Sequence, residues 1–268
     1  MLHFLKIDLK KLTSYRTFWV ICGLYFIMLA VVTASGNEFV KWLVSKGANF
    51  FDGNFNITRI PLYYFPDVWQ NLVFVSGFFK IIIGIMVVIS ITNEFAYRTI
   101  RQNIIDGMSR WEFLKSKILT NVMLSLMSTA MVFLIGLVTG LIYSPEIVLS
   151  DVFSGVDFFV AYFLEVFSFL SFALLVGILV NRAGLAIVLV LFARSIEFFI
   201  KLKVPESIDW IVDYFPMESI SNLVPFPFLR YAMQEIQDYV AIGAVAISLA
   251  WTFLFNYFAY LKLEKSDI

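Results

Sequence analysis

Six long apolar runs constrain the fold of this chain, because each can cross a lipid bilayer as a helix. One crossing needs about 20 mostly apolar residues. The chain is 60% hydrophobic and 15% charged, whereas soluble domains have roughly 45–50% apolar and about 25% charged residues. We therefore expect an all-α membrane protein that is a single transmembrane domain over residues 1–268. Its six transmembrane helices are predicted at residues 17–37, 71–93, 118–143, 158–180, 183–200 and 239–261.

The basic residues predict how these spans are oriented, because Lys and Arg accumulate on the cytoplasmic side of membranes. One set of connecting segments holds most of them: Lys6, Lys10, Lys11, Arg16, Arg98, Arg101, Arg110, Lys115, Lys117, Arg182, Lys262 and Lys265. The opposite set has longer loops and fewer: Lys41, Lys46, Arg59, Lys201, Lys203 and Arg230. Both termini are thus predicted to be cytoplasmic, and we expect the membrane to be the bacterial cytoplasmic (inner) membrane.

The segment before the first span predicts an amphipathic helix over residues 1–16 that lies in the membrane surface. Its leucines recur at helical spacing, at Leu2, Leu5, Leu9 and Leu12, and such a stripe is typical of an interfacial helix. A cleaved signal peptide ending near Ala34 is the alternative. The long apolar stretch and the segment that precedes it disfavour cleavage.

The segment before the last span is apolar from Ile220 to Met233 but too short to cross the bilayer. Prolines interrupt the wider region, at Pro205, Pro216, Pro225 and Pro227. We expect a pair of short re-entrant helices that dip into the outer membrane surface, since irregular backbone at membrane depth must be buried in protein or line a wet cavity.

Several kinds of chemistry are excluded by what the sequence lacks. With one cysteine, Cys22, and one histidine, His3, it can form neither an internal disulfide nor a cysteine or histidine metal cluster. The phosphate-binding pattern G-x-x-x-x-G-K-[ST] is absent. We therefore expect no catalytic residue, metal ligand or cofactor in this chain, which we take not to be an enzyme, and no nucleic-acid partner.

The loop between the second and third spans carries the most specific pattern. The span ends at Glu94, and the residues that follow predict a short amphipathic helix, which Gly107 interrupts. Its apolar residues are Ile100, Ile104 and Ile105, and its polar residues are Arg98, Arg101 and Gln102. Ser109 can then cap the next helix, with Glu112 completing a capping box. The loop helix would join two spans stiffly.

This loop resembles that of the six-span permease subunits of type-2 ABC exporters. In that family a Glu ends the second span, and a Thr, a basic residue and a Ser-Arg pair follow. The matching residues are Glu94, Thr99, Arg101, Ser109 and Arg110, with Lys117 where a basic residue often follows. Gly107 stands where many members have proline, and either residue interrupts a helix. The resemblance extends over the N-terminal helix, the six spans and the apolar segment before the last one.

The resemblance implies a division of labour between two kinds of subunit. The loop helix would be a cytoplasmic coupling helix that docks on a separate ABC-type ATPase subunit, and that partner would hold ATP and Mg. The permease would pair with a second copy (a homodimer) or a relative. It would export a substrate, for which a lipophilic molecule is one candidate, through the dimer interface.

Four charged residues fall within predicted spans: Lys80, Glu165, Arg194 and Glu197. An ionised side chain there costs at least about 2.5–3.5 kcal/mol on insertion scales. Arg194 and Glu197 are three residues apart on one helix and are expected to pair. Mutual neutralisation is one interpretation, and a polar substrate path or proton relay is the other.

Two further classes of function fit these features. An ATP-coupled membrane scaffold or sensor would use the same loop to signal. An ion-coupled transporter or channel would use the intramembrane charges and would work without ATP. In the third span, Gly136 and Gly140 form a G-x-x-x-G pattern, which permits close helix approach but also arises by chance.

Overall fold

Long apolar helices make up most of this protein. The computed structural model describes residues 2–46, 62–228, 230 and 237–266, and the regular structure within these residues is helical. Five of the described helices are long and apolar enough to cross a membrane, and a sixth candidate span is a pair of helices with a 40° bend between them. These observations agree with the predicted all-α membrane protein.

The described helices follow one another with short connections. They are α1 (Leu2–Ser14), α2 (Arg16–Ser45), α3 (Val68–Gly77), α4 (Lys80–Ala96), α5 (Thr99–Ile105), α6 (Arg110–Tyr143), α7 (Leu149–Phe153), α8 (Asp157–Val180), α9 (Ala183–Lys201), α10 (Pro216–Ser221) and α11 (Ile242–Glu264). A 3₁₀ helix, Glu206–Tyr214, lies between α9 and α10.

Helix α8 is the centre of the bundle. In its most apolar 18-residue stretch 67% of the residues are buried, against 17% for α9. It packs against α3, α4, α6, α9, α10 and α11. Its polar side chains Tyr162, Glu165 and Ser168 find partners on neighbouring helices, and such partners are not offered by lipid. The more exposed helices keep an apolar face outward, as expected of spans that contact lipid.

Hydroxyl groups join three helices inside this core. Ser128 of α6 and Tyr162 of α8 share a hydrogen bond of 2.8 Å between their hydroxyl oxygens, and Tyr25 of α2 is hydrogen bonded to Ser128. All three residues are buried. A buried hydroxyl is costly unless it is hydrogen bonded, so this cluster fixes how α2, α6 and α8 meet.

The second span is bent, although residues 71–93 predict one continuous helix. Phe78 and Phe79 form the turn between α3 and α4, and the Phe79 N–H donates to the Ser76 carbonyl, three residues back, at 3.0 Å. Lys80 begins α4 and is ion paired with Glu165 of α8. An apolar run predicts membrane contact but not straightness, since its residues are equally apolar in a bent or a straight helix.

Two helices are longer than the spans predicted for them. Helix α2 continues from the expected end at residue 37 to Ser45, and α6 begins at Arg110 rather than at residue 118. The start of α6 is set by the predicted capping box, which is confirmed: Ser109 and Glu112 satisfy each other's backbone N–H groups. A helix ends where its backbone is capped or broken, not where lipid contact ends.

The segment between α9 and α11 has its short helices earlier than expected. They occupy Glu206–Tyr214 and Pro216–Ser221, ahead of most of the predicted stretch 220–233. Residues 222–227 form turns and irregular backbone, and residues 231–236 lie outside the described part of the chain. Pro216 starts α10 at a position where its missing N–H costs nothing.

Aromatic rings pack against both glycines of the G-x-x-x-G pattern in α6. A Cβ atom added at Gly136 would lie 2.6 Å from Cζ3 of Trp69, and one at Gly140 would overlap the ring of Phe65. The Trp69 indole N–H donates to the Val152 carbonyl at 2.9 Å, which holds the ring in place. The glycines therefore admit aromatic side chains rather than a second helix backbone.

We predict that Gly136→Ala destabilises the protein by about 1–3 kcal/mol, because the added methyl overpacks a site that a fixed indole fills. Thermal unfolding of the purified protein in detergent measures the effect. Gly23→Ala in α2 is the matched control, since a Cβ there meets nothing within 4 Å. Equal melting temperatures for the two variants would contradict the packing account.

Candidate functional site

The loop helix α5 is bounded by two left-handed residues. Arg98, at its N-cap, has φ 55°, and Gly107, after its end, has φ 96°. The predicted break at Gly107 is therefore confirmed, because glycine adopts this conformation without strain. The left-handed Arg98 is not predicted by the sequence, since non-glycine residues there are uncommon. Together the two turns set α5 off from α4 and α6.

The side chains of α5 divide between an inner and an outer face. Ile100 is buried and Ile104 is half-buried, whereas Ile105 is 70% exposed. The three isoleucines therefore do not form the single apolar stripe that the sequence predicts. The outer face and its flanks make up what we call the α5 surface, which consists of Tyr97, Arg98, Arg101, Gln102, Ile105 and Trp111, all exposed.

Behind the inner face lies a buried group of charges. The Glu94 carboxylate is nearly inaccessible and accepts hydrogen bonds from Lys117 Nζ at 3.1 Å and from the Thr99 hydroxyl. Lys11 Nζ lies 3.7 Å from the same carboxylate. Two residues of the loop pattern are thus brought together: Glu94, which belongs to α4, and Thr99, which belongs to α5.

Asp8 of α1 completes this group, which we call the buried charge cluster: Asp8, Lys11, Glu94, Thr99 and Lys117. Asp8 is ion paired with Lys117 and accepts a hydrogen bond from the Thr120 hydroxyl at 2.6 Å. The cluster contains two carboxylates and two ammonium groups, so its formal charges balance. Charges so far from water are tolerated when they are paired and hydrogen bonded.

Asp8 and Lys11 of the buried charge cluster, and the neighbouring Asn103, are the residues to which sequence reasoning gave no role in this site. Lys11 donates from Nζ to Oδ1 of Asn103 at 3.1 Å, which ties α1 to α5 directly. One signal was available: Asp8 is the sole acidic residue before Glu38, within an otherwise basic segment. An isolated carboxylate on an apolar, basic helix indicates a buried partner, but not which one.

The start of α6 is fixed to the end of α11. Arg110 Nη2 donates to the Ser266 carbonyl at 3.1 Å, and the rings of Trp111 and Tyr260 meet edge to face with centroids 5.4 Å apart. A displacement of α5 would therefore be passed to α1 and α4 through the buried charge cluster. It would be passed to α11 through Arg110, the first residue of α6.

The four intramembrane charges are only partly paired as expected. Lys80 and Glu165 form an ion pair between α4 and α8. The expected Arg194–Glu197 pair is absent: Glu197 instead accepts hydrogen bonds from the backbone N–H groups of Met217 and Glu218, at 2.8 and 3.1 Å. The uncapped N-terminus of α10 supplies these donors. Among the described residues, no carboxylate lies within 4 Å of Arg194.

Comparison with protein-family models and with curated proteins yields no match for this chain. Within the described ranges, no three His, Cys, Asp or Glu side chains are arranged to hold a metal ion. The functional inference is therefore carried by the arrangement of the chain's own residues, above all by the α5 surface and the buried charge cluster behind it.

We predict that Lys117→Met lowers the free energy of unfolding by about 3–5 kcal/mol, because it leaves Asp8 and Glu94 buried without their shared cation. Lys41→Met is the matched control: Lys41 pairs with Glu38 on an exposed helix face, where such a pair is worth about 0–1 kcal/mol. Thermal unfolding in detergent compares the two variants. Similar small effects would show that the buried charge cluster does not hold α1 against α6.

Proposed function

We propose that this chain is the membrane-spanning permease subunit of a type-2 ABC exporter, driven by a separate ATPase. The supporting observation is the two-sided construction of α5. Its outer face offers Arg101, Gln102 and Ile105 to a partner, and its inner side is tied to α1, α4 and α6 by the buried charge cluster and Asn103. A surface helix fixed in this way passes a rigid-body displacement on to the spans.

In this proposal the chain supplies no catalytic group. The ATPase subunit binds ATP with Mg and closes when ATP is bound. This closure displaces α5. A second permease chain, either a copy or a relative, completes the exporter, and the substrate crosses between the two. The α5 surface combines basic, amide and apolar groups, and the exposed Asp106 at its edge accepts a hydrogen bond from Gln102. Arginine and aromatic residues, both present here, are enriched in protein interfaces.

Ile105→Asp tests docking, because it places a charge at the centre of the α5 surface without touching the core. We expect at least a tenfold loss of the ATPase that co-purifies from native membranes in mild detergent, quantified by mass spectrometry. Leu149→Asp in α7 is the control. Leu149 is as exposed as Ile105, at 73% against 70%, but it lies beyond the opposite end of α6, after Tyr143. Equal recovery from both variants, or no ATPase with the wild-type chain, would overturn the proposal.

The orientation with both termini in the cytoplasm is also proposed. It is supported by the concentration of basic residues in the segments around α1, α5 and the end of α11. In a Cys22→Ala background expressed without the ATPase, so that the α5 surface is uncovered, Ile105→Cys should react with a membrane-impermeant maleimide in inverted vesicles and not in intact spheroplasts. Leu149→Cys should show the reverse. Labelling of both from the same side would contradict six spans with this orientation.

An ion-coupled transporter or channel is the second candidate, because Lys80, Glu165 and Arg194 line one cavity. It predicts a proton or ion flux through liposomes that contain this chain alone, abolished by Glu165→Gln and measured with an internal pH dye. The exporter predicts no such flux. An ATP-coupled scaffold or sensor would instead bind the ATPase through α5 and move no substrate.

A further inference from the structure

A cavity of about 390 Å³ lies beside the bend of the second span, among α3, α4, α8, α9 and α10. Its volume is within the range of small-molecule sites, roughly 300–1,000 Å³. Most of its wall is apolar and aromatic, with Phe74, Phe78, Phe169 and Phe226. Three charged side chains share this apolar space: Lys80, Glu165 and Arg194.

Glu165 provides an acceptor that no described residue uses. The residue is 5% exposed. Its Oε1 is ion paired with Lys80, while Oε2 has no hydrogen-bond partner among the described residues. Gly77 makes room for the carboxylate, since a Cβ there would lie 2.7 Å from Oε1. A buried acceptor without a donor is costly, so this oxygen indicates a donor other than the described residues.

Arg194 provides the complementary donor. Its guanidinium carries five N–H groups, and the described part of the chain places no carboxylate within 4 Å of it. Lys80 and Glu165 neutralise each other, so the charged lining has one formal positive charge in excess, on the exposed Arg194. The Glu197 carboxylate, three residues further along α9, acts on this charge from a distance and does not contact it. Arginine in this state favours an anion that accepts several hydrogen bonds, of which phosphate is the best match.

The rim of the cavity is apolar and open. Phe78, Leu191 and Phe226 line it and are exposed, and Leu191 belongs to the largely uncovered apolar face of α9. A ligand can therefore place its charged group in the cavity while its apolar part stays along the helix surface. This arrangement fits an amphiphile better than a fully water-soluble anion.

We propose that this cavity binds the headgroup of an anionic amphiphile that carries a phosphodiester and a hydroxyl group. The phosphate oxygens accept hydrogen bonds from Arg194, the hydroxyl donates to Glu165, and the acyl chains lie against the aromatic rim. That this amphiphile is also the exported substrate rests on the proposed function. The binding site itself is independent of an ATPase.

Native mass spectrometry of the purified chain in detergent tests the site with three matched lipids. Phosphatidylglycerol has the charge and the hydroxyls, phosphatidylmethanol has the charge alone, and phosphatidylcholine has neither a net charge nor a donor. We expect phosphatidylglycerol to bind about tenfold more tightly than phosphatidylcholine, as one charge-assisted contact predicts, with phosphatidylmethanol between them. Glycerol 3-phosphate lacks the apolar part and should not compete at equal concentration.

Arg194→Gln should abolish the advantage of phosphatidylmethanol over phosphatidylcholine and leave only the smaller part of the phosphatidylglycerol preference that its hydroxyl group contributes through Glu165. Arg182→Gln is the matched control, since Arg182 is exposed at the start of the same helix and does not line the cavity; it should leave the preference intact. Equal binding of the three lipids by the wild-type chain, an unchanged preference in Arg194→Gln, or competition by glycerol 3-phosphate would overturn the inference. The wild-type preference decides the question even if Arg194→Gln fails to fold.

The result is separable from the proposed function. A lipid preference without any co-purifying ATPase would support the binding site and contradict the exporter proposal. If an ATPase docks through Ile105 but the chain shows no lipid preference, the exporter proposal is supported and this substrate class is contradicted.

Discussion

The pairing of Lys117 with both Asp8 and Glu94 holds together the end of the bundle that carries α5. Each of these groups alone would be expensive so far from water, and together they are neutral and hydrogen bonded. Because the three residues come from α1, α6 and α4, the pairing fixes the N-terminal helix against two spans. Thr99 extends it into α5. The loop helix is thus held in position by charged and hydrogen-bonded contacts to other helices.

Such a cluster also restricts how this end of the protein can move. Separating α1 from α6 would expose an ammonium and a carboxylate to an apolar environment, so α1, α4 and α6 are expected to move together. Helix α11 meets the start of α6 through one hydrogen bond of Arg110 and a ring contact of Trp111, and along its length it packs on α8, where Ser248 and Thr252 are hydrogen bonded to Ser168. A displacement applied at α5 would therefore move α1, α4 and α6 as one rigid group, with α11 attached both to this group and to the central helix α8.

The sequence was informative where a physical rule is local. Apolar run length predicted the spans, and side-chain capping predicted the start of α6 at Ser109. The bend at Phe78 could not be predicted, because the chain is apolar on both sides of it, and the adjacent contact of Lys80 with Glu165 joins residues 85 positions apart. Similarly, Arg194 and Glu197 have the spacing of a pair, yet backbone donors of α10 take Glu197. Which partner a charge finds is a property of the folded bundle.

Helix α4 connects the two charged regions of the protein. Lys80, at its first turn, lies in the cavity, and Glu94, in its last turn, lies in the buried charge cluster. Fourteen residues of α-helix separate them, about 21 Å at a rise of about 1.5 Å per residue. Both ends are held by ion pairs to other helices, so α4 cannot shift along its axis without straining one of them. A force on α5 therefore acts on the Lys80–Glu165 pair, and with it on the free acceptor of Glu165, through a single rigid element.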